Sequence, residues 1–272
     1  MHSLSHKQTP TSLTLQRFPQ NSMLAIFCNN LAHPPAELKS PSTQAAANRP
    51  QDILRKFTAP RPSESASVSF GDTAILATDR GASPIILRRL FCGYDEIYCL
   101  FEGNLNNLCA LNKQYGLTKN ANEAMLVIEA YRTLRDRGPY PADQVVKDLD
   151  GSFGFVVYDS GRGSVFTALG TDGGVKLYWG VAEGHVVISD NLEVVKEGCG
   201  KSYAPFPPGF IFHSEGGLMS FEHPMHKVKP VTRVDSEGTL CGSNFRVDAY
   251  TRINSIPRRG SEANWTEWDP RD

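Results

Sequence analysis

Six cysteines, at positions 28, 92, 99, 109, 199 and 241, are the strongest nucleophiles this chain carries. None belongs to a CxxC pair. In a chain of this length such scattered thiols read as buried or half-buried packing residues of a reducing compartment, not as a disulfide framework. His223-Pro224-Met225-His226 sets two imidazoles three residues apart, with His213 nearby. A metal would need further Cys or carboxylate ligands at matching spacing, and Pro224 interrupts any helix that could aim both rings. No metal and no cofactor are therefore expected. Glu102-Gly103-Asn104 joins a carboxylate to two residues that tolerate positive φ, which reads as a tight turn.

The elements that must position these groups follow from periodicity. Met23–Cys28 is a continuous apolar run and reads as a buried strand. Residues 31–62, rich in Pro, Ser, Ala and Asn, read as a long loop with one short helix near Asp52–Phe57. Thr73–Thr78 and Glu96–Phe101 read as strands, and Asn104–Leu111 as a short helix. The clearest helix follows. Asn120 is its expected N-cap, with Glu123 at capping-box spacing, and Ala124, Val127, Ile128, Tyr131 and Leu134 fall on one face. Gly138-Pro139 is its expected stop. Tyr115-Gly116-Leu117 reads as a helix C-cap with Gly116 left-handed. Leu134-Arg135-Asp136-Arg137 reads as a solvated helix end whose arginines meet the C-terminal dipole.

Three hairpins follow: Gly154–Asp159 with Ser164–Leu169, Lys176–Gly180 with His185–Ser189, and Phe210–Phe212 with Leu218–Glu222. Beyond Pro230 the periodicity weakens, and the tail is expected to wrap the surface. Hairpins with a few helices make an α+β protein.

The 272 residues, 21% charged with net charge -1, suit a soluble domain with a real core. There is no concentrated basic face for nucleic acid, and no apolar run of the ~20 residues that a membrane span needs. Residues 1–22 are Ser-, Thr- and Gln-rich and free of acids. They read as a disordered extension or a transit segment, with translation from Met23 as a third alternative.

Tyr115-Gly116-Leu117 and Leu134-Arg135-Asp136-Arg137 match the motifs that define a plant family, the aluminium-induced and stem-specific proteins with YGL and LRDR motifs. The resemblance runs from Met23 to the end. It takes in residues 89–93, residues 122–160, the glycine-rich run 173–180 and Ser261–Trp268. That family resembles, more distantly, the glutaminase domain of class II glutamine amidotransferases. Asp150-Gly151-Ser152-Phe153-Gly154-Phe155 and Asp172-Gly173-Gly174-Val175-Lys176-Leu177-Tyr178 carry this second resemblance, with Glu102–Asn107 where those enzymes place an Asn-Gly-Glu turn. The resemblance implies an N-terminal-nucleophile (Ntn) fold, a four-layer αββα sandwich of two antiparallel sheets. It divides the chain into residues 1–22, an amidotransferase-like domain at 23–250, and a tail at 251–272.

Amide hydrolysis on that fold takes a nucleophile whose own α-amino group is its base, an oxyanion hole, and charged groups that hold glutamine. The resemblance puts Leu24 at the nucleophile position, and an isobutyl group cannot attack. Cys28 lies four residues on, roughly 13 Å away at ~3.3 Å per residue along a strand. Glu102 replaces the oxyanion-binding Asn, and an ionised carboxylate only accepts hydrogen bonds. Ala121 takes the place of the substrate-gripping Asp, or Asn122 after a one-residue shift.

No catalytic residue is therefore assigned. Glu102, Gly103, Asn104 and Asn122 are the expected ligand pocket. The function expected is a non-catalytic amidotransferase-like protein of plant stress response to aluminium, hormone or sugar. It would bind an unknown protein or small molecule, and neither nucleic acid nor membrane. The cytoplasm is the expected location, with the nucleus open, and the chloroplast if residues 1–22 are a transit segment. Two alternatives stand beside this. One is an active amidohydrolase with Cys28 or Cys92 as displaced nucleophile. The other is a structural homodimer or higher oligomer.

Overall fold

The computed structural model describes residues 22–41, 48–79, 89–136 and 142–252. The chain opens with β1 (Ser22–Cys28), α1 (Asn29–Ala32), a 3-10 turn at Ala36–Leu38, and α2 (Pro50–Thr58). Strands β2 (Ser65–Phe70), β3 (Ala74–Asp79), β4 (Arg89–Tyr94) and β5 (Ile97–Leu105) lead to helices α3 (Leu108–Gln114), α4 (Glu123–Asp136) and α5 (Ala142–Lys147). Then come β6 (Gly151–Asp159), β7 (Ser164–Leu169), β8 (Tyr178–Ala182), β9 (His185–Ser189) and α6 (Leu192–Cys199). The last strands are β10 (Tyr203–Pro205), β11 (Phe210–His213), β12 (Gly217–Ser220), β13 (His226–Val234) and β14 (Leu240–Arg252).

Two six-stranded sheets form, in the orders β10-β8-β9-β1-β3-β2 and β12-β11-β7-β6-β5-β4. Every pairing in them is antiparallel. Alternation along each strand divides the apolar residues between two faces. On β1, Met23, Ala25 and Phe27 enter the core between the sheets, whereas Leu24 and Ile26 face Ile53 and Phe57 of α2 and Val195 and Cys199 of α6. On β5 and β6, Leu100, Val156 and Tyr158 face inward, while Phe101, Phe155 and Val157 meet Val127, Ile128 and Tyr131 of α4. The result is the αββα order. Trp179 anchors the centre, with Phe206, Phe212 and Phe245 edge-on at 5.0, 5.4 and 5.6 Å.

Several local expectations change. Helix α4 begins at Glu123, and Asn122, not Asn120, caps it: its Oδ1 accepts the Met125 amide at 2.9 Å. Asn104 and Leu105 do not start a helix. They continue β5, paired with Ser152 and Gly151, and α3 starts at Leu108. The expected cap at Gly116 is present, with the Leu117 amide reaching the Asn112 carbonyl at 2.7 Å. Arg135 is not a solvated helix end. It binds Asp159 at 3.0 Å, and the two side chains are 15% and 1% exposed. The stop at Gly138-Pro139 lies outside the described residues.

Residues 230–252 are no loose wrap but part of the β13–β14 ladder, whose register shifts between His226 and Val228 and between Val231 and Arg233; the rest of the expected tail lies outside the described residues. Those irregularities interrupt the period-two signal. Helix α6 was not expected at all, although Asn191 caps it by accepting the amides of Glu193 and Val194.

Candidate functional site

A cleft of about 690 Å³ opens where β5 ends and β6 begins. Its floor is the close approach of these two strands. Glu102-Gly103-Asn104 is not a turn but paired strand, in register with Gly154, Phe153 and Ser152. The approach is possible because both strands carry glycine there. Gly103 has φ 117°, and a Cβ on it would lie 2.0 Å from the Ser152 carbonyl oxygen. Gly151 has φ 138°, and its Cβ would lie 2.2 Å from the Asn104 carbonyl oxygen. No L side chain fits either position without strain.

The walls are polar. Asp172, on the β7–β8 connection, accepts hydrogen bonds from the Ser152 hydroxyl and, at 3.3 Å, from the Gly174 amide. Asp150 accepts from Asn106 Nδ2 at 3.5 Å, and its amide donates to Asn107 Oδ1 at 3.2 Å. Glu222 and His223 close the far side from the segment after β12, and Lys147 reaches in from the end of α5. Four carboxylates, those of Glu102, Asp150, Asp172 and Glu222, thus share the cleft with one lysine. Phe153, Val175 and Phe221 supply its apolar patches.

Of the four expected pocket residues, Glu102, Gly103 and Asn104 line this cleft. Asn122 stands apart on the helix-covered face, where both side-chain heteroatoms lie 3.6 Å from Cys92 Sγ. Sequence reasoning missed Glu222 and His223, because only the topology brings the end of β12 to this edge. Asp150, Ser152 and Asp172 were within reach: they sit in the two glycine-bearing motifs that carried the amidotransferase resemblance.

No cysteine lines the cleft among the described residues. Cys28 ends β1 opposite His185. Leu24 is fully buried in the apolar cluster beneath α2 and α6. Met23, which precedes it, is built into the ladder opposite Thr78. The Met23 amide donates to Asp190 at 2.9 Å, and its carbonyl accepts from the Ser189 hydroxyl at 2.6 Å. The Ser22 hydroxyl reaches the same Asp190 oxygen at 2.7 Å.

His223 and His226 have ring centroids 5.9 Å apart, and His226 Nδ1 faces the Asp248 carbonyl at 3.0 Å. Among the described residues no group of three or more His, Cys, Asp or Glu is arranged to hold a metal ion. No helix among them is long and apolar enough to cross a membrane.

Comparison with known proteins follows the same lines. The sequence profile of a family described as aluminium induced protein matches residues 24–247. The stem-specific protein TSJT1 of Nicotiana tabacum is 35% identical over 149 residues, which make up 54% of this chain and 99% of that protein. A Dictyostelium discoideum protein named Probable asparagine synthetase (glutamine-hydrolyzing) is 30% identical over 149 residues. That match takes in 52% of this chain but only 24% of the synthetase. Among solved structures, the glutamine phosphoribosylpyrophosphate amidotransferase of B. subtilis, complexed with ADP and GMP, aligns with a TM-score of 0.48 at 13% identity. A second solved structure, of the allosteric regulatory enzyme of purine biosynthesis, aligns with a TM-score of 0.43, also at 13% identity. Each alignment covers 74% of this chain and 49% of the other. With the profile matching across nearly all of the two-sheet body, this chain belongs to the aluminium-induced protein family.

Proposed function

We propose that this chain is a non-catalytic amidotransferase-like protein that binds a small polar ligand in the cleft at the end of β5 and β6. Its setting would be the plant response to aluminium or a related stress, as the family description suggests. The observation that carries this reading is the separation of two features that an amidohydrolase needs together. Leu24, at the nucleophile position, is sealed under α2 and α6, whereas the cleft stays open and polar. With Leu24 sealed in the core and no cysteine lining the cleft among the described residues, the cleft can hold a ligand but lacks the thiol that an amidohydrolase of this kind would use.

The charge of the walls supports a cationic ligand class. Asp150, Asp172 and Glu222, with Lys147 as the one lysine in the lining, favour a molecule that presents an ammonium or guanidinium group. Asn104, Asn106 and Thr171 offer hydrogen bonds to its neutral parts. Calorimetric titration with basic amino acids and with di- and polyamines tests this. Saturable binding that weakens several-fold in Glu222→Gln is expected. Binding of dicarboxylates but not of amines would overturn it.

A further inference from the structure

The β4–β5 pair holds a feature that the cleft does not use. Cys92 on β4 and Cys99 on β5 are register partners. Cys99 is fully buried in the apolar cluster beneath α4, and half-buried Cys92 packs against the same cluster. Both thiols therefore leave the same face of the sheet. Directly opposed residues on antiparallel strands have Cα atoms about 4.5 or 5.5 Å apart, depending on their hydrogen bonding. Both spacings fall inside the ~4.4–6.8 Å that a disulfide spans. No other two cysteines are register partners in the described strands.

We propose that Cys92 and Cys99 form a reversible thiol–disulfide modification site, oxidised by hydrogen peroxide and reset by a dithiol reductant. Three observations support it. Among the described strands β4 is the last of its sheet, so none of them covers its outer side. Cys92 is the more exposed member and meets the oxidant first. Burial, and next the neighbouring Cys92, push the Cys99 thiol well above the usual range, so Cys99 waits protonated as the second partner.

The steps balance. The Cys92 thiolate attacks one peroxide oxygen, the O–O bond breaks, and the departing hydroxide takes a proton and leaves as water. Cys92 then carries S–OH. The Cys99 sulfur, losing its proton, attacks the Cys92 sulfur. The S–S bond forms, the S–O bond breaks, and a second water leaves. Two thiols are oxidised and one peroxide is reduced. The bridge draws the Cys92 sulfur away from Asn122, whose Oδ1 still caps α4 through Met125.

The test uses the full 272-residue chain. The reduced protein is treated with dilute hydrogen peroxide, its remaining thiols are alkylated, and intact mass and peptide mapping follow. The expected product is monomeric, lighter by two hydrogens, with a cross-linked peptide joining Cys92 to Cys99. Dithiothreitol should restore both thiols, with Cys99 alkylated once the chain is unfolded. Cys92→Ser should lose the cross-link and leave Cys99 alkylatable only after unfolding. In Cys99→Ser, a sulfenic-acid trap such as dimedone should label Cys92. Should Cys99→Ser fail to fold, Cys92→Ser at the half-buried position decides alone. Two outcomes overturn the proposal: no cross-link while both thiols stay reduced, or a cross-link formed first between other cysteines.

Discussion

Strand β1 and the β5–β6 edge have opposite character. β1 is closed. Leu24 and Ile26 lie beneath helices, Met23 and Phe27 fill the core between the sheets, and Asp190 and Ser189 hold the backbone at Met23. The β5–β6 edge is open, with two glycines at positive φ, four carboxylates and a cleft of about 690 Å³. The difference teaches that one strand can be sealed on both faces by apolar packing while another edge of the same two-sheet body keeps an irregular backbone and a polar lining.

Substitutions can break or sharpen that contrast. The largest effect is expected from Gly151→Ala. Its Cβ would meet the Asn104 carbonyl oxygen at 2.2 Å in a strained conformation. Combining overpacking with backbone strain, the cost should be about 3–5 kcal/mol in urea unfolding. A change of only a few tenths would mean that the two strands are not held so close.

Next is Leu24→Ala, which hollows the cluster beneath α2 and α6. A loss of about 3 kcal/mol is expected, with ligand binding unchanged at temperatures where the variant stays folded. Loss of binding without loss of stability would place Leu24 in the site after all. Leu24→Cys keeps most of the volume and should cost about 1–2 kcal/mol by the same measurement. It should not confer glutamine hydrolysis, because the new thiol faces the helices.

Glu222→Gln, on the exposed side of the cleft, should change stability by no more than about 0.5 kcal/mol while weakening amine binding.

The smallest effect lies outside both regions. Burial holds the His213 imidazole below its ordinary range, and its Nδ1 accepts the Glu215 amide at 3.1 Å, so the folded protein favours the neutral ring. The unfolded chain then binds the proton more readily. This stability is present above the ordinary histidine value of about 6.5 and is lost as pH falls through the lower folded value. Melting temperature measured against pH should fall on the acid side, and the fall should be shallower in His213→Gln.

Legibility in the sequence followed the range over which each signal acts. The strand at Met23–Cys28 and the face of α4 are local patterns of apolar residues, and both were readable. The Glu102–Asn104 segment was misread as a turn because glycine and asparagine signal positive φ whether the chain reverses or two strands crowd together. Gly103 does the second, against Ser152, a partner nearly fifty residues away. The cap of α4 moved by two residues because Asn120 and Asn122 are chemically equal candidates, and only the backbone path decides. In β13–β14 the register shifts scramble the alternation on which a strand is recognised. The cleft was half legible. Its floor lies in glycine motifs, whereas Glu222 and His223 arrive only through the pairing of β11 with β12 and β7.

The most direct test of the central claim is glutamine turnover by the chain trimmed to begin at Met23, with released glutamate followed over hours. No glutamate above the buffer rate is expected, and a glutamine-mimicking diazoketone should leave the intact mass unchanged. Turnover that disappears in Cys28→Ser or Cys92→Ser, with the matching adduct on that cysteine, would contradict the account.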